Sequence, residues 1–218
     1  MEELKLKVYK ESMLLYIVTD RSWLGENFFI NQVEETIQNG ATFIQLREKE
    51  MGFDEFVKEA TEVKVLTDKY KIPFVINDNI EVALACGADG VHVGQSDMAA
   101  KDVRSQIGKD KILGVSAQTV EQAILAEKNG ADYLGVGAVF STSTKPDADA
   151  VTFETLKTIC ESVSIPVVAI GGISEKNILE LKGTGISGVA VISAIFSKPD
   201  IVKATRRMHE LSGKTVLL

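Results

Sequence analysis

The sequence is poor in cysteine, histidine and proline. Its 218 residues include two Cys, two His and four Pro. Two isolated cysteines cannot form the disulfide framework of a small secreted domain, and no Cys or His cluster has the spacing of a zinc site. The simplest interpretation of Cys86 and Cys160 is two buried free thiols in a reduced, cytoplasmic protein.

Long apolar runs and an excess of positive charge are also lacking. The apolar stretches are far shorter than a membrane span, and the charged N-terminal segment MEELKLKVYKE has no apolar signal-peptide core. The net charge of −7 gives no general basic surface for nucleic acid. We therefore expect small-molecule partners, with no nucleic acid and no membrane, while the sequence leaves open whether the chain forms a homo-oligomer.

Eight apolar runs recur along the chain, with segments of helical spacing between them. They are continuous rather than alternating, which indicates strands of a parallel sheet that is buried on both faces. The predicted strands are 14–18, 42–46, 73–76, 89–93, 112–115, 132–136, 166–170 and 188–192. No low-complexity linker interrupts them.

Four of these strands follow the same local pattern. The segments NGATFIQL, CGADGVHV, NGADYLGV and TGISGVAV each carry Gly at the second position and a small residue, Ala or Ser, between it and the strand. Glycine just past a helix end adopts the left-handed conformation without a Cβ penalty, so the pattern predicts helix termini. Eight strand–helix units predict an α/β fold, a single (β/α)8 TIM barrel over residues 1–218.

The remaining segments of the chain are assigned around this barrel. Residues 1–13 form a short N-terminal extension that can be helical and cover the barrel bottom. The last helix is predicted over 201–211, and we expect 212–218 to fray. The alternative is an open doubly wound sheet, which usually carries a Gly-rich fingerprint after its first strand, where this chain has Thr19, Asp20 and Arg21.

Two carboxylates follow neighbouring strands. Asn77 and Asp78 end the third strand, and Asp97 follows the fourth. Because the carboxyl ends of parallel strands open on one side, these residues are predicted on one rim. There they can hold a hard cation such as Mg2+ together with a phosphorylated ligand, or they can simply act as helix N-caps.

Further candidates lie at the ends of the other strands. Gln45, Arg47 and Lys49 alternate to one side and suit a phosphate or diphosphate, although the segment also fits a solvated charged loop. Ser116 can donate to a phosphate or cap the following helix. For His92, within the fourth strand, we prefer a satisfied core histidine.

The last three strand ends offer phosphate donors. The loop after the sixth strand contains four successive hydroxyl residues, 141–144, followed by Lys145. The ends of strands seven and eight carry Gly172 and the pair Ile192–Ser193, where barrels commonly bind phosphate through backbone N–H groups. The residues thus indicate two anionic sites and group transfer with diphosphate as the leaving group.

At these positions the chain resembles the thiamin phosphate synthase family over nearly its whole length. The resemblance rests on an ordered set of motifs rather than on any one of them. These are QLREKE at 45–50, IND at 76–78, GADGVHVGQSD at 87–97, GVS at 114–116, STSTKPDA at 141–148, IGGI at 170–173 and the pair 192–193.

The resemblance implies a Mg2+-assisted, dissociative reaction. Hydroxymethylpyrimidine diphosphate and thiazole phosphate would give thiamin phosphate and diphosphate, with Asp78 and Asp97 as metal ligands. Pyrimidine diphosphate would contact Gln45, Leu46, Arg47, Glu48, Lys49, Asn77, Ser116 and Lys145. Of these, Arg47, Lys49, Ser116 and Lys145 would have catalytic roles. Thiazole phosphate would contact Thr142, Ser143, Thr144, Gly172, Ile192 and Ser193.

Two rival functions need fewer of these residues. A thiazole tautomerase of the same barrel family would need the monophosphate site without the diphosphate apparatus. A non-enzymatic phosphate sensor would tolerate loss of the metal pair. Fold alone does not separate the three functions. The synthase is favoured by the joint presence of Arg47, Lys49, Asn77, Asp78, Asp97 and Lys145.

Overall fold

The chain forms a closed barrel of eight parallel strands in sequence order. The computed structural model describes residues 8–23, 29–94, 100–141 and 150–216. The strands are β1 (Leu15–Val18), β2 (Phe43–Leu46), β3 (Phe74–Asn77), β4 (Gly90–Val93), β5 (Ile112–Ala117), β6 (Tyr133–Val136), β7 (Val167–Ile170) and β8 (Gly188–Val191). The barrel closes where β8 pairs with β1. The predicted fold is confirmed, and every predicted strand is present within one or two residues at its ends.

Helices surround the barrel. They are α1 (Phe29–Gln38), α2 (Phe53–Tyr70), α3 (Ile80–Ala85), α4 (Ala100–Ile107), α5 (Val120–Lys128), α6 (Phe153–Ser162), α7 (Ser193–Phe196) and α8 (Ile201–Val216). Between β7 and β8 the chain forms a short 3-10 helix, Ile178–Leu181, in place of an α-helix. None of the helices in the described ranges has both the length and the hydrophobicity of a transmembrane span.

The predicted fraying after residue 211 is wrong as far as Val216, the last described residue. Helix α8 continues because its final turns are buried against the barrel. Ser212 is fully buried and its Oγ donates to the carbonyl of Leu14 at 2.5 Å, while Thr215 donates to the carbonyl of Leu211. Because these buried hydroxyl groups have hydrogen-bond partners, they stabilise the end of α8. The sequence alone did not reveal that these polar residues are buried.

The glycine pattern is confirmed. Gly40, Gly87, Gly130 and Gly185 all have positive φ, between 72° and 118°. The first three follow α1, α3 and α5, and the fourth follows the 3-10 helix. Each therefore turns the chain from a helical segment into the next strand.

Two of these turns carry an aspartate that joins adjacent strands. Asp89 accepts a hydrogen bond from the backbone N–H of Phe74, and Asp132 accepts one from Leu113. Each carboxylate also pairs with a cation on a helix, at 3.3 Å from Lys64 and 2.6 Å from Arg104 respectively. These contacts fix the amino ends of β3 to β6 and so position the opposite rim.

The hydrophobic residues form two clusters, one inside the barrel and one between barrel and helices. The inner cluster contains Tyr16, Phe43, Val75, Ile112 and Tyr133 among others. At its lower end is Met13, which closes a 3-10 helix, Lys10–Met13, within the predicted N-terminal extension. Among the described residues these side chains fill the lower part of the barrel, and the carboxyl ends of the strands are where a ligand is expected to bind.

Candidate active site

A cavity of about 360 Å³ opens at the carboxyl ends of β2 and β3. Its lining combines two cations, two carboxyl groups and two amides with a small apolar wall. The lining residues are Arg47, Glu48, Lys49, Met51, Phe56, Asn77, Asp78 and Asn79. Five predicted site residues, those at 47, 48, 49, 77 and 78, are thus brought together. Paired cations beside a carboxylate suit a polyanion that carries a divalent metal ion.

Asp78 is not a helix cap. Asn79 caps α3 by accepting from the N–H of Val82 at 2.9 Å. Asp78 has φ 59°, its N–H donates to the carbonyl of His92, and its Oδ2 accepts from the side-chain amide of Asn77 at 2.6 Å. These bonds hold an exposed carboxylate at the rim of the cavity.

This arrangement fits a weakly held magnesium ion. Mg2+ is usually bound by one or two carboxylates together with water and substrate phosphates, rather than by a cage of protein ligands. Within the described ranges, no group of three or more His, Cys, Asp or Glu residues could hold a metal ion. Asp97, the second predicted ligand, lies outside the described residues.

An ion cluster fixes the loop after β2. Arg21 lies 3.2 Å from the Glu48 carboxylate and also pairs with Glu59 on α2. Burial raises the pKa of Glu59, Arg21 lowers it, and the adjacent Glu48 raises it again. Glu48 is thereby held to the barrel wall between its two basic neighbours. No signal in the sequence pointed to Arg21 or Glu59, because they lie 27 and 11 residues from Glu48.

Gln45 and Leu46 point to opposite sides of β2. Gln45 is buried on the barrel side, where its Nε2 donates to the Tyr16 hydroxyl at 2.9 Å. Leu46 is buried in the outer core with Phe56 and Ala60 of α2. Leu46 does not line the cavity, so a predicted ligand contact would have to come from its main chain.

Ser116 does not cap a helix. Thr119 caps α5, with a reciprocal capping box to Gln122. Ser116 lies within β5, and its Oγ is 3.0 Å from Nε2 of His92. The preferred interpretation of His92 as a satisfied core histidine is confirmed, since its Nδ1 is also 2.9 Å from the Tyr133 hydroxyl.

Two tyrosines complete this contact and were missed in the sequence. The hydroxyls of Tyr16 and Tyr133 are 2.7 Å apart inside the barrel. Burial raises the pKa of both phenols, so both stay neutral at working pH. Their place in strands was predicted, but only the closed barrel brings strands β1 and β6 face to face.

The loops after β6 and β7 pack directly on each other. The N–H groups of Val139 and Phe140 donate to the carbonyls of Ile170 and Gly171. Gly172 has φ 64°, and a Cβ there would lie 2.4 Å from the Ser141 carbonyl oxygen. Glycine at this position is therefore required by close packing within the chain, beyond any role at a phosphate.

The other thiazole-site predictions are only partly within the described structure. Ile192 precedes α7, and Ser193 is its first residue, at the same end of the barrel as Gly172. Thr142, Ser143, Thr144 and Lys145 lie outside the described residues.

Comparison with known proteins gives a consistent result. A family model described as "Thiamine monophosphate synthase" matches residues 15–195. The chain is 55% identical over 197 residues to the thiamine-phosphate synthase of Ruminiclostridium cellulolyticum, covering 90% of this chain and 94% of that protein. It is 53% identical over 201 residues to that of Methanobrevibacter smithii, covering 92% and 96%.

A solved structure agrees with these matches. The thiamine phosphate pyrophosphorylase from Pyrococcus furiosus superimposes with a TM-score of 0.87 at 39% identity. The alignment covers 95% of this chain and 99% of that one.

Proposed function

Because the chain belongs to the thiamine monophosphate synthase family and is therefore a transferase, we propose that it joins hydroxymethylpyrimidine diphosphate to thiazole phosphate. The products are thiamin phosphate and diphosphate. The observation that carries this proposal is the cavity between the loops after β2 and β3. It combines Arg47 and Lys49 with the Asp78 carboxylate, as a metal-bound diphosphate requires.

The residues have distinct roles in this proposal. Arg47 and Lys49 bind the diphosphate and offset its charge as it leaves, with Lys145 adding a third cation. Gln45, Ser116 and Asn77 orient the pyrimidine, while Glu48 and the main chain of Leu46 hold the β2 loop. Mg2+, held by Asp78 and Asp97, would supply further charge neutralisation on the diphosphate when bound.

The second substrate is assigned to the opposite part of the rim. Gly172, Ile192 and Ser193 would bind the thiazole phosphate through backbone N–H groups and a hydroxyl, together with Thr142, Ser143 and Thr144. Two separate anion sites keep the phosphate groups apart, so the thiazole nitrogen can face the pyrimidine methylene carbon.

The chemistry needs no nucleophilic side chain. The bond between the pyrimidine methylene carbon and the diphosphate oxygen breaks, and the electron pair leaves with diphosphate. The thiazole nitrogen then donates its lone pair to that carbon and forms the new C–N bond. Catalysis consists of positioning and charge stabilisation by the residues above.

The test is an assay with both substrates, in Mg2+ and in EDTA, with thiamin phosphate detected after oxidation to its fluorescent product. We expect metal-dependent product, and Asp78→Ala should abolish it while leaving the circular dichroism spectrum unchanged. Asp110→Ala is the matched control, because that exposed aspartate lies near the amino end of β5, away from the cavity.

The outcomes separate the rival functions. Absence of product with a folded protein and verified substrates would contradict the synthase proposal, and isomerisation of thiazole phosphate would then identify a tautomerase. Full activity of Asp78→Ala would refute the metal assignment while leaving the reaction class intact.

A further inference from the structure

A continuous chain of hydrogen bonds crosses the interior of the barrel. It begins at Gln45, whose Nε2 donates to the Tyr16 hydroxyl at 2.9 Å. It continues to the Tyr133 hydroxyl at 2.7 Å, then to Nδ1 of His92 at 2.9 Å, and ends with Nε2 of His92 at 3.0 Å from Ser116. The chain thus passes from β2 through β1, β6 and β4 to β5.

The strands leave room for this chain by carrying glycine. A Cβ at Gly114 would lie 2.2 Å from Cζ of Tyr133 and 2.5 Å from Nδ1 of His92. A Cβ at Gly135 would lie 3.1 Å from Cε1 of His92. Strands β5 and β6 therefore carry glycine where the imidazole of His92 meets the phenol of Tyr133, because a larger residue would clash with these rings. The strands are thus shaped to accommodate this contact inside the barrel.

The number of protons fixes the direction of the chain. Each neutral phenol has one proton and so donates once. Within the described structure, the two phenols have no hydrogen-bond partners outside this chain. Tyr16 accepts from Gln45, so it donates to Tyr133. Tyr133 then donates to Nδ1 of His92, and the imidazole carries its proton on Nε2.

This direction determines what each end presents. Gln45 uses one N–H of its amide within the chain, so its carbonyl oxygen can accept a hydrogen bond from a ligand. Ser116 accepts from the imidazole, so its own hydroxyl proton is directed to an acceptor. The opposite direction would need a flipped Gln45 amide and a proton on Nδ1 of His92, and both ends would reverse together.

We propose that Tyr16, Tyr133 and His92 are positioning residues that couple Gln45 to Ser116 and set the hydrogen-bonding polarity of the site. In this state Gln45 offers an acceptor and Ser116 a donor. An aminopyrimidine presents the complementary pair, an exocyclic amino group and ring nitrogen acceptors. The identification of the ligand as an aminopyrimidine rests on the proposed function. The hydrogen-bonding polarity of the chain does not, because it follows from the hydrogen bonds within the protein.

The direct test is the tautomer of His92, measured by 15N NMR on uniformly labelled full-length protein at about pH 8, above the ordinary histidine pKa of about 6.5. We expect the proton on Nε2. His209 is the second of the two histidines in the sequence and serves as an internal reference. Its Nδ1 is 2.7 Å from the Gly40 carbonyl, which can only accept, so it must carry the opposite tautomer. A proton on Nδ1 of His92, or on both nitrogens, would overturn the proposal.

Gln45→Glu tests the coupling over the whole chain. A carboxylate cannot donate, so Tyr16 must donate to it, and every bond beyond must reverse. We expect the His92 proton to move to Nδ1, although the substituted atom is three hydrogen bonds away. Gln38→Glu is the matched control, since that exposed glutamine also donates to a tyrosine hydroxyl, that of Tyr70. An unchanged His92 tautomer in folded Gln45→Glu protein would refute the coupling.

Tyr133→Phe provides a second variant in case the charged substitution prevents folding. It removes the donor to Nδ1, so His92 should become a mixture of tautomers. The KM for the aminopyrimidine diphosphate should rise about tenfold, as for loss of about 1.4 kcal/mol, while the KM for thiazole phosphate stays unchanged. Tyr70→Phe is the control. A single unchanged tautomer, or an equal rise in both KM values, would contradict the proposal. Failure of the wild-type protein to use the aminopyrimidine would instead refute only the proposed reaction.

Discussion

Gly114→Ala is the substitution whose effect the structure defines most sharply. The new Cβ would lie 2.2 Å from Cζ of Tyr133, 2.3 Å from its hydroxyl oxygen and 2.5 Å from Nδ1 of His92. Real Cβ contacts are not that short, so the ring must move. Tyr133 is fully buried, with the rings of Phe43 and Tyr16 against it at 5.4 and 5.8 Å between centroids, so there is no open space for it to enter.

The free energy of unfolding should fall by about 2–4 kcal/mol. Overpacking a well-packed core costs about 1–3 kcal/mol. Displacing Tyr133 also breaks its hydrogen bond to His92, which contributes about 1 kcal/mol. For a chain of this length the midpoint of thermal unfolding should drop by roughly 4–16 °C.

The measurement is urea and thermal unfolding followed by circular dichroism, with Gly213→Ala as control. Gly213 lies in α8, and among the described residues no other side chain or neighbouring segment comes within 4 Å of the position that a Cβ would occupy there, so alanine should stabilise by about 0.5–1 kcal/mol. If Gly114→Ala unfolds within about 0.5 kcal/mol of wild type, a margin typical of neutral substitutions, the crowding argument is wrong. A stable but inactive variant would show that the ring moved without cost.

Three further substitutions test other parts of the barrel. Arg104→Lys should lower the free energy of unfolding by about 1–3 kcal/mol, because the guanidinium donates to three backbone carbonyls and one carboxylate that an ammonium cannot reach together. The measurement is urea denaturation, with Arg207→Lys as the control. Gly172→Ala should raise the KM for thiazole phosphate and leave that for the pyrimidine substrate unchanged, since the β6 and β7 loops must separate; an unchanged KM for thiazole phosphate in steady-state assays would place that phosphate elsewhere. Ser212→Ala should destabilise by about 0.5–1.5 kcal/mol by removing the hydrogen bond from a fully buried hydroxyl to the Leu14 carbonyl, which keeps its bond from the Val189 N–H, and an unchanged urea midpoint would contradict this contribution.

The sequence predicted the fold because its signals are local. Continuous apolar runs mark buried parallel strands, and a glycine such as Gly40 or Gly130 marks the turn into the next one. The same locality explains the error at the C-terminus. Whether Ser212 is exposed or buried depends on a residue 198 positions away, which no window of sequence contains.

In the candidate site, too, local sequence signals predicted some features and missed others. The grouping of Arg47, Lys49 and Asp78 was predictable because each lies within three residues of the end of a strand, and parallel strands end on one side. The two interpretations as caps, for Ser116 and Asp78, were wrong because Thr119 and Asn79 lie one to three residues further on and cap the helices instead. Helix-capping propensity therefore predicted a cap within three residues of its true position but assigned it to the wrong residue.

Local sequence signals contain no information about contacts across the barrel. Tyr16 and Tyr133 are 117 residues apart, and each is an ordinary aromatic strand residue in sequence. Closure of the sheet brings them together, and glycines at 114 and 135 admit His92 beside them. Because a hydrogen-bond chain has one direction throughout, the barrel then converts a side-chain orientation on β2 into a donor on β5. Fold and site chemistry are therefore linked here through the interior packing, so a substitution inside the barrel can change which hydrogen-bonding groups Gln45 and Ser116 present.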